Sequence, residues 1–452
     1  MTQITAGIPW VNRADPDYLL CLLVFSAAVV VYVVYGGFRA VVWTDVLQGV
    51  IMFVGVVLML GFALKQVGGL GHATRQMAKM TPPEFGAATL NLKAAVDHDV
   101  QIRKGTWFKA GDQAARLVTT VVLPAGTTRS DPVRVLIPTT PFEIESIKAD
   151  PLPVPMSLEI EKTEAYRFGA GKPGVYLQAP GPHAKESLGF LTLGTAISFF
   201  IFWPFAGTGQ PSNMVRLMSF KDTRTLRYSI VTVAVYYAII YFSLVVIFCC
   251  GRVLMPGQEI DPDRAMPELA ALLTSNAGVP WLAGLLVAAP FAAVMSSVDS
   301  FLLMVSSGVV RDVYQGNMNP DADERTIKLL SYSVTVVVGV LAVLAVLNPP
   351  TYLQDLIVFA SGGLAACFFI PVVLALYWPN MTARGAVAGM IGGMLMHLGL
   401  TFLGWMEQGE FRAYAFLGMN PFIWDLLGSG LGAILFSFRG PAADAALKRR
   451  FF

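Results

Sequence analysis

The sequence has 452 residues, 55% apolar and 14% charged, with a mean hydropathy of +0.60. A soluble domain carries about 25% charged residues, so this chain lacks the polar side chains to coat water-soluble cores and reads as an all-α polytopic membrane protein. Its formal net charge of +2 argues against a nucleic-acid binder, which needs a basic face.

A bilayer-spanning helix takes about 20 mostly apolar residues. Nine stretches meet that measure: 18–38, 41–64, 188–206, 228–250, 281–310, 329–347, 352–378, 385–405 and 421–438. Backbone polar groups in lipid must bond within their own segment, so these are helices. Cys21, Cys249, Cys250 and Cys367 all lie in apolar stretches without metal-ligand spacing, and read as packing residues. The N-terminus has no basic leader and does not read as a signal peptide.

Gly36-Gly37 predicts a tight turn between the first two spans, and Asp45 follows in YGGFRAVVWTDVLQG. A carboxylate there suits a helix N-terminus; the functional alternative is a cation-attracting group on an inner vestibule. Residues 66–187 regain charge and proline. ARLVTTVVLP, DPVRVLIP, MSLEIEKTEAY and GVYLQAP alternate like short strands between turns, predicting a small β-rich insert. Three blocks follow: 1–65 with two spans, the insert at 66–187, and 188–452 with seven spans.

In FFIFWPFAGTGQPSNMVRLMSFKDTRTLR, four breakers (Pro204, Gly207, Gly209 and Pro211) fall within eight residues. Such a break at membrane depth is tolerated where protein or a water-filled cavity satisfies the freed backbone, and it is a feature of transporter binding sites. Trp203 and Phe205 supply apolar walls there; Thr208 and Gln210 supply polar contacts. A kinked packing helix is the alternative.

VAAPFAAVMSSVDSFLLMVSSGVVRDVY places the Ala293 carbonyl near the hydroxyls of Ser296 and Ser297, at i+3 and i+4 on one helical face. Three neutral oxygens suit a hard cation that must also leave; serines bonding their own i−4 carbonyl are the bland alternative. Asp299 lies about 18 Å along the helix from Arg311. An acid at that depth costs roughly 2.5–3.5 kcal/mol on insertion scales, so it faces a cavity or a partner. His397, alone in a glycine-rich helix, reads as a packed core histidine.

Lys and Arg in the short loops set orientation. With the N-terminus outside, inner segments hold Arg39, Arg216, Lys221, Arg224, Arg227, Arg311, Arg325, Lys328, Arg384, Arg439, Lys448, Arg449 and Arg450. Outer ones hold Arg13, Arg252, Arg264 and Arg412. The bias places the insert outside and the C-terminus in the cytoplasm of a multi-pass cell-membrane protein.

Together the motifs GGFRAVVWTDVLQG, GTGQP…VRLMSFKDTRTLR, AAPFAAVMSS…RDVY and NPPTYLQDLIVFASGGLAACFFIPVVLALYW resemble the sodium:solute symporter family, and within it the sodium/pantothenate symporters. The resemblance covers about 1–65 and 188–440. It implies an inverted-repeat, leucine-transporter-like bundle, here partial, because the family's first core helices precede the segment matching TDVLQ. Such a gap is expected from a late start assignment, from a split gene whose separate N-terminal fragment would be a partner, or from a decayed copy. Carried over, Ala293, Ser296 and Ser297 match a sodium site, Asp45 an acid on the sodium path, and Trp203 and Pro211 the substrate cavity. Asp299 matches no regularly acidic position and is assigned to the sodium path on its depth alone.

The expected function is sodium-coupled uptake of a small organic acid such as pantothenate, with Na+ as coupling ion, no organic cofactor and the lipid bilayer as partner. The alternative is a non-transporting anchor or sensor, or an inactive truncated symporter, whose insert is the working part. No nucleophile–base or metal constellation points to an enzyme.

Overall fold

A computed structural model describes residues 16–95, 97–347, 353–409 and 413–439. Arg13, Arg412, Lys448, Arg449 and Arg450 of the orientation argument lie outside the described residues, as does the NPPTY start of the last matching motif. The chain is a mainly helical membrane protein with a small sheet. Among the described residues, seven helical stretches are long and apolar enough to cross a membrane.

The helices are α1 (Pro16–Val67), α2 (Leu70–Met77), α3 (Pro141–Ser146), α4 (Leu193–Thr208), α5 (Pro211–Met218), α6 (Thr223–Leu254), α7 (Ala265–Asn276), α8 (Ala283–Ser307), α9 (Glu324–Ala345), α10 (Leu353–Tyr377), α11 (Ala383–Gln408) and α12 (Pro421–Phe438). A π-helical run, Gly308–Met318, continues α8. The chain divides into two compact units: Met1–Val54, Gly194–Val235 and Ala288–Phe452 form one, Gly55–Leu193 and Tyr236–Val287 the other.

The first two expected spans join without a loop. A single residue, Gly37, breaks the helical path at φ 58°, ψ −164°, a conformation open to glycine because it has no Cβ. The third span is a 16-residue helix, α4, that stops at the expected breakers. Pro204 is carried inside it, and the break itself falls at Gly209-Gln210. There a Cβ on Gly209 would lie 2.7 Å from the Ala365 Cα. Pro211 then opens α5 at its first turn, where a missing N–H costs nothing.

In the unit that contains α10–α12, small residues let α11 and α12 approach closely. Gly385, Gly389 and Gly393 of α11 face Ser437, Ala433 and Ser429 of the antiparallel α12. The four-residue spacing keeps each set on one helical face. A Cβ on Gly392 would lie 2.7 Å from the Gly428 carbonyl oxygen, so neither helix could carry a larger residue there without moving apart.

In the other unit, seven strands run between 84 and 164: β1 (Glu84–Leu92), β2 (Val100–Ile102), β3 (Trp107–Ala110), β4 (Gln113–Leu117), β5 (Val121–Leu123), β6 (Val133–Ile137) and β7 (Met156–Glu164). The antiparallel order β3-β4-β6-β1-β7 makes one sheet, and β2-β5 makes a smaller one. In β7, Met156, Leu158 and Ile160 pack on the core while Ser157 and Glu159 are exposed, the period-2 pattern of a half-buried strand. Leu90, Leu117 and Val135 are fully buried with them. GVYLQAP departs from the reading as a strand: after the left-handed Gly174, Val175–Leu177 makes a 3-10 turn. Arg116 of β4 fixes this module to the loop after α6, donating to the Gly257 carbonyl at 2.8 Å.

Glu143 in α3 is buried, and burial pushes its carboxyl from 4.5 up to about 7, against a hydrogen bond from Thr140. A folded state that holds its proton more tightly than the unfolded chain loses stability as pH rises between those two values. The sheet module should therefore weaken from about pH 4.5 to about pH 7 and then level off. Glu143→Gln should flatten that slope in the hydrogen-exchange protection of β1 and β6, corrected for intrinsic exchange; a slope kept in the variant would assign it elsewhere.

Candidate functional site

Two of the expected polar stretches meet in the unit formed by the first half of α1, α4, α5 and α8–α12. Asp45 lies eight residues past Gly37 on α1, and Ser296 lies on α8. The Ser296 hydroxyl donates to Asp45 Oδ1 at 2.6 Å. Arg216 of α5 donates to the other carboxylate oxygen, Oδ2, at 2.6 Å, and also to the Ser300 hydroxyl. Ser300 in turn bonds the Ser296 carbonyl at 2.7 Å. One acid, one guanidinium and two hydroxyls from three helices thus form a continuous network.

Asp299 is fully buried one helical turn away. It accepts a bond of 2.7 Å from the Tyr32 hydroxyl of α1 and lies 3.2 Å from Ser300. Tyr32 and Asp45 stand on opposite sides of Gly37, so the break in α1 sets the relation between the two acids' partners. A buried polar group left without a partner costs about 1–3 kcal/mol, which the tyrosine avoids at Asp299.

The three expected cation ligands are adjacent but not turned to one point. Ser297 is exposed and donates to the Ala293 carbonyl at 3.2 Å, while the Ser296 hydroxyl is turned to Asp45. The sequence reading treated these oxygens as a neutral cage; the geometry puts a carboxylate on one of them and a guanidinium behind it. A Ser hydroxyl that donates keeps its lone pairs, so Ser296 can still offer oxygen to a cation drawn by Asp45.

The expected substrate residues sit at the α4–α5 break. Gln210 donates from Nε2 to Ser361 Oγ of α10 at 3.1 Å, and Phe205 stacks on Phe369 of α10 with ring centres 4.8 Å apart. Thr208 bonds back to the Pro204 carbonyl at 2.6 Å, and Asn213 caps the break by donating to Gly207 at 2.7 Å. Trp203 is half exposed and set edge-on to Phe202. The break and α10 therefore share Gln210 and Phe205; Trp203 and Thr208 make their contacts within α4.

Arg216 and Tyr32 were not legible as partners. Arg216 read as one of several basic residues of inner segments, and Tyr32 lies in an apolar run. The available signal was the need of each acid for a donor, which names a requirement without a position.

A model of the sodium:solute symporter family matches residues 6–108 and 179–393. The chain is 26% identical over 429 residues to the sodium/pantothenate symporter of Escherichia coli K12, covering 94% of this chain and 64% of that protein. The Haemophilus influenzae sodium/pantothenate symporter is 26% identical over 86% of this chain and 59% of its own. The E. coli sodium/proline symporter is 28% identical over 57% of this chain and 49% of its own. The chain thus spans about three-fifths of the length of the pantothenate relatives. A solved structure of a Na+-coupled sialic acid symporter in its substrate-bound outward-open state superposes with a TM-score of 0.52, at 15% identity, covering 98% of this chain and 70% of that one; the two share a fold.

The Asp45–Arg216 contact predicts energetic coupling. In a double-mutant cycle on unfolding in detergent, Asp45→Asn and Arg216→Gln should together cost less than the sum of the single changes, by about 1 kcal/mol. Simple additivity would mean that the pair contributes nothing to the fold.

Proposed function

The chain belongs to the sodium:solute symporter family, and from that premise we propose that it carries a small organic solute across a cell membrane, driven by sodium entry. The single observation that supports a working cation site is the bond from Ser296 to Asp45 at 2.6 Å. It brings a carboxylate to a hydroxyl that the resemblance of AAPFAAVMSS to the family's motif implies is a sodium ligand. A membrane potential of 100 mV adds about 2.3 kcal/mol per charge moved, so a single ion supplies a useful gradient of free energy.

In this reading Ala293, Ser296 and Ser297 give the ion neutral oxygens. Asp45 draws the ion in, and Arg216 balances that acid when the ion leaves. Asp299 lies along the same path. Trp203, Phe205, Thr208, Gln210 and Pro211 line the solute site at the α4–α5 break, where unwound backbone offers amides to an anionic group. Relatives named for pantothenate favour a carboxylate cargo. Sodium bound at α8 raises solute affinity by stabilising the state that exposes that site, and linkage makes the effect reciprocal. The Lys and Arg bias puts the sheet module outside and the C-terminus inside.

A second reading, a membrane anchor whose working part is the sheet module, draws on that module's own buried core. The two part on uptake. Vesicles bearing this chain should accumulate labelled pantothenate or proline with sodium outside, and Ser296→Ala with Ser297→Ala should raise the sodium requirement tenfold or more, about 1.4 kcal/mol, with a smaller change in solute requirement. Sodium dependence unaltered by the double change would remove the proposed site, and absent uptake would favour the anchor.

A further inference from the structure

The glycine stripe of α11 runs Gly385, Gly389, Gly393 and then, at the same spacing, His397. The facing stripe of α12 runs Ser437, Ala433, Ser429 and then Asp425. Where the small residues end, His397 Nδ1 meets Asp425 Oδ2 at 2.7 Å. His397 is 6% exposed and Asp425 and Ser429 are 0% exposed. Among the described residues, three of their polar atoms have no protein partner: His397 Nε2, Asp425 Oδ1 and Ser429 Oγ. His397 lies about 21 Å from the start of α11 and about 16 Å from its end, mid-span by either measure.

With a neutral imidazole donating Nδ1–H, the group carries one full negative charge in close-packed protein. A buried charge without a counter-charge is among the costliest arrangements a fold can hold. One positive charge relieves it. An alkali cation is a poor occupant, because a hard cation takes several oxygens. Here two unpartnered oxygens and a ring nitrogen are on offer, between helices packed through glycine. A proton needs a single lone pair.

From this geometry we infer that His397, Asp425 and Ser429 form a proton-binding site, which holds one proton in addition to the imidazole Nδ1–H. The proton rests on the carboxyl. His397 Nε2 is turned to the Gly362-Gly363 backbone of α10, about 3.1 Å from where a Gly363 Cβ would stand, and an N–H there would have no acceptor. Asp425 Oδ1 shares its helical face with Ser429, one turn on. Proton uptake turns a carboxylate and a neutral imidazole into a carboxylic acid and the same imidazole, with no other bond made or broken. The elements around the pair add few other titratable groups. Cys367 lies on α10; Phe359 of α10 lies on the imidazole and Phe202 of α4 on Gly362, and α4 has no charged residue.

The site stands apart from the sodium path and does not rest on it. Infrared spectra of the full chain, with sodium replaced by choline, should show a buried carboxylic acid forming as pH is lowered. The band should vanish in Asp425→Asn and shift in frequency in His397→Gln. A band unchanged in Asp425→Asn would overturn the assignment. So would a wild-type band lost when sodium is restored, which would make the occupant an alkali ion. Should Asp425→Asn fail to fold, nitrogen-15 spectra of the wild type suffice. Of its four histidines, one should keep Nδ1–H throughout and shift as the carboxyl band grows; a buried ring that gains Nε2–H, or never shifts, contradicts the proposal.

Discussion

A carboxylate inside a membrane protein must be met by a donor or a positive charge, and that requirement organises the helical unit of this chain. Asp45, Asp299 and Asp425 lie along apolar helices, and each is met differently. Asp45 has a guanidinium and a serine hydroxyl on its two oxygens. Asp299 has a tyrosine. Asp425 has an imidazole. At least one partner comes from another helix in every case, so each acid links two or more helices. Hydrogen bonds between membrane helices average only about 0.6 kcal/mol; their larger contribution here is to exclude arrangements that would leave an acid alone.

Charge balance separates the three sites in character. The Asp45 network is half exposed and carries its own cation, so an incoming ion can compete with Arg216 at little cost. The Asp299 contact is deeply buried and pairs the acid with a neutral tyrosine of α1. The Asp425 pair is buried without a full counter-charge, and its neighbours are glycine and aromatic side chains. A single chemical type, the aspartate, thus sits in three settings that differ in partner and in burial.

Much of this was legible before any coordinates. Composition and apolar run length identify a polytopic membrane protein, and the clustering of Pro204, Gly209 and Pro211 locates the helix break to within a few residues. Alternation in MSLEIEKTEAY predicts β7. What escaped was pairing in space. The turn expected at Gly36-Gly37 is a one-residue break inside a continuous helical run, because glycine's left-handed φ alone does not reveal how long the helix is on either side. GVYLQAP alternates in sequence yet folds as a 3-10 turn after a left-handed glycine. His397 read as a packed core histidine, and nothing local joins it to Asp425, 28 residues on and on another helix; the shared four-residue spacing of the facing stripes becomes meaningful only once the helices are known to be antiparallel neighbours.

The central claim is that Asp45, held between Ser296 and Arg216, gives the α8 hydroxyls their attraction for a sodium ion. Calorimetric titration of the purified chain with sodium, against potassium as control, tests it most directly. The account predicts saturable heat with sodium alone, abolished in Asp45→Asn while the variant keeps its helical content. Sodium binding of equal strength in the folded variant would contradict it.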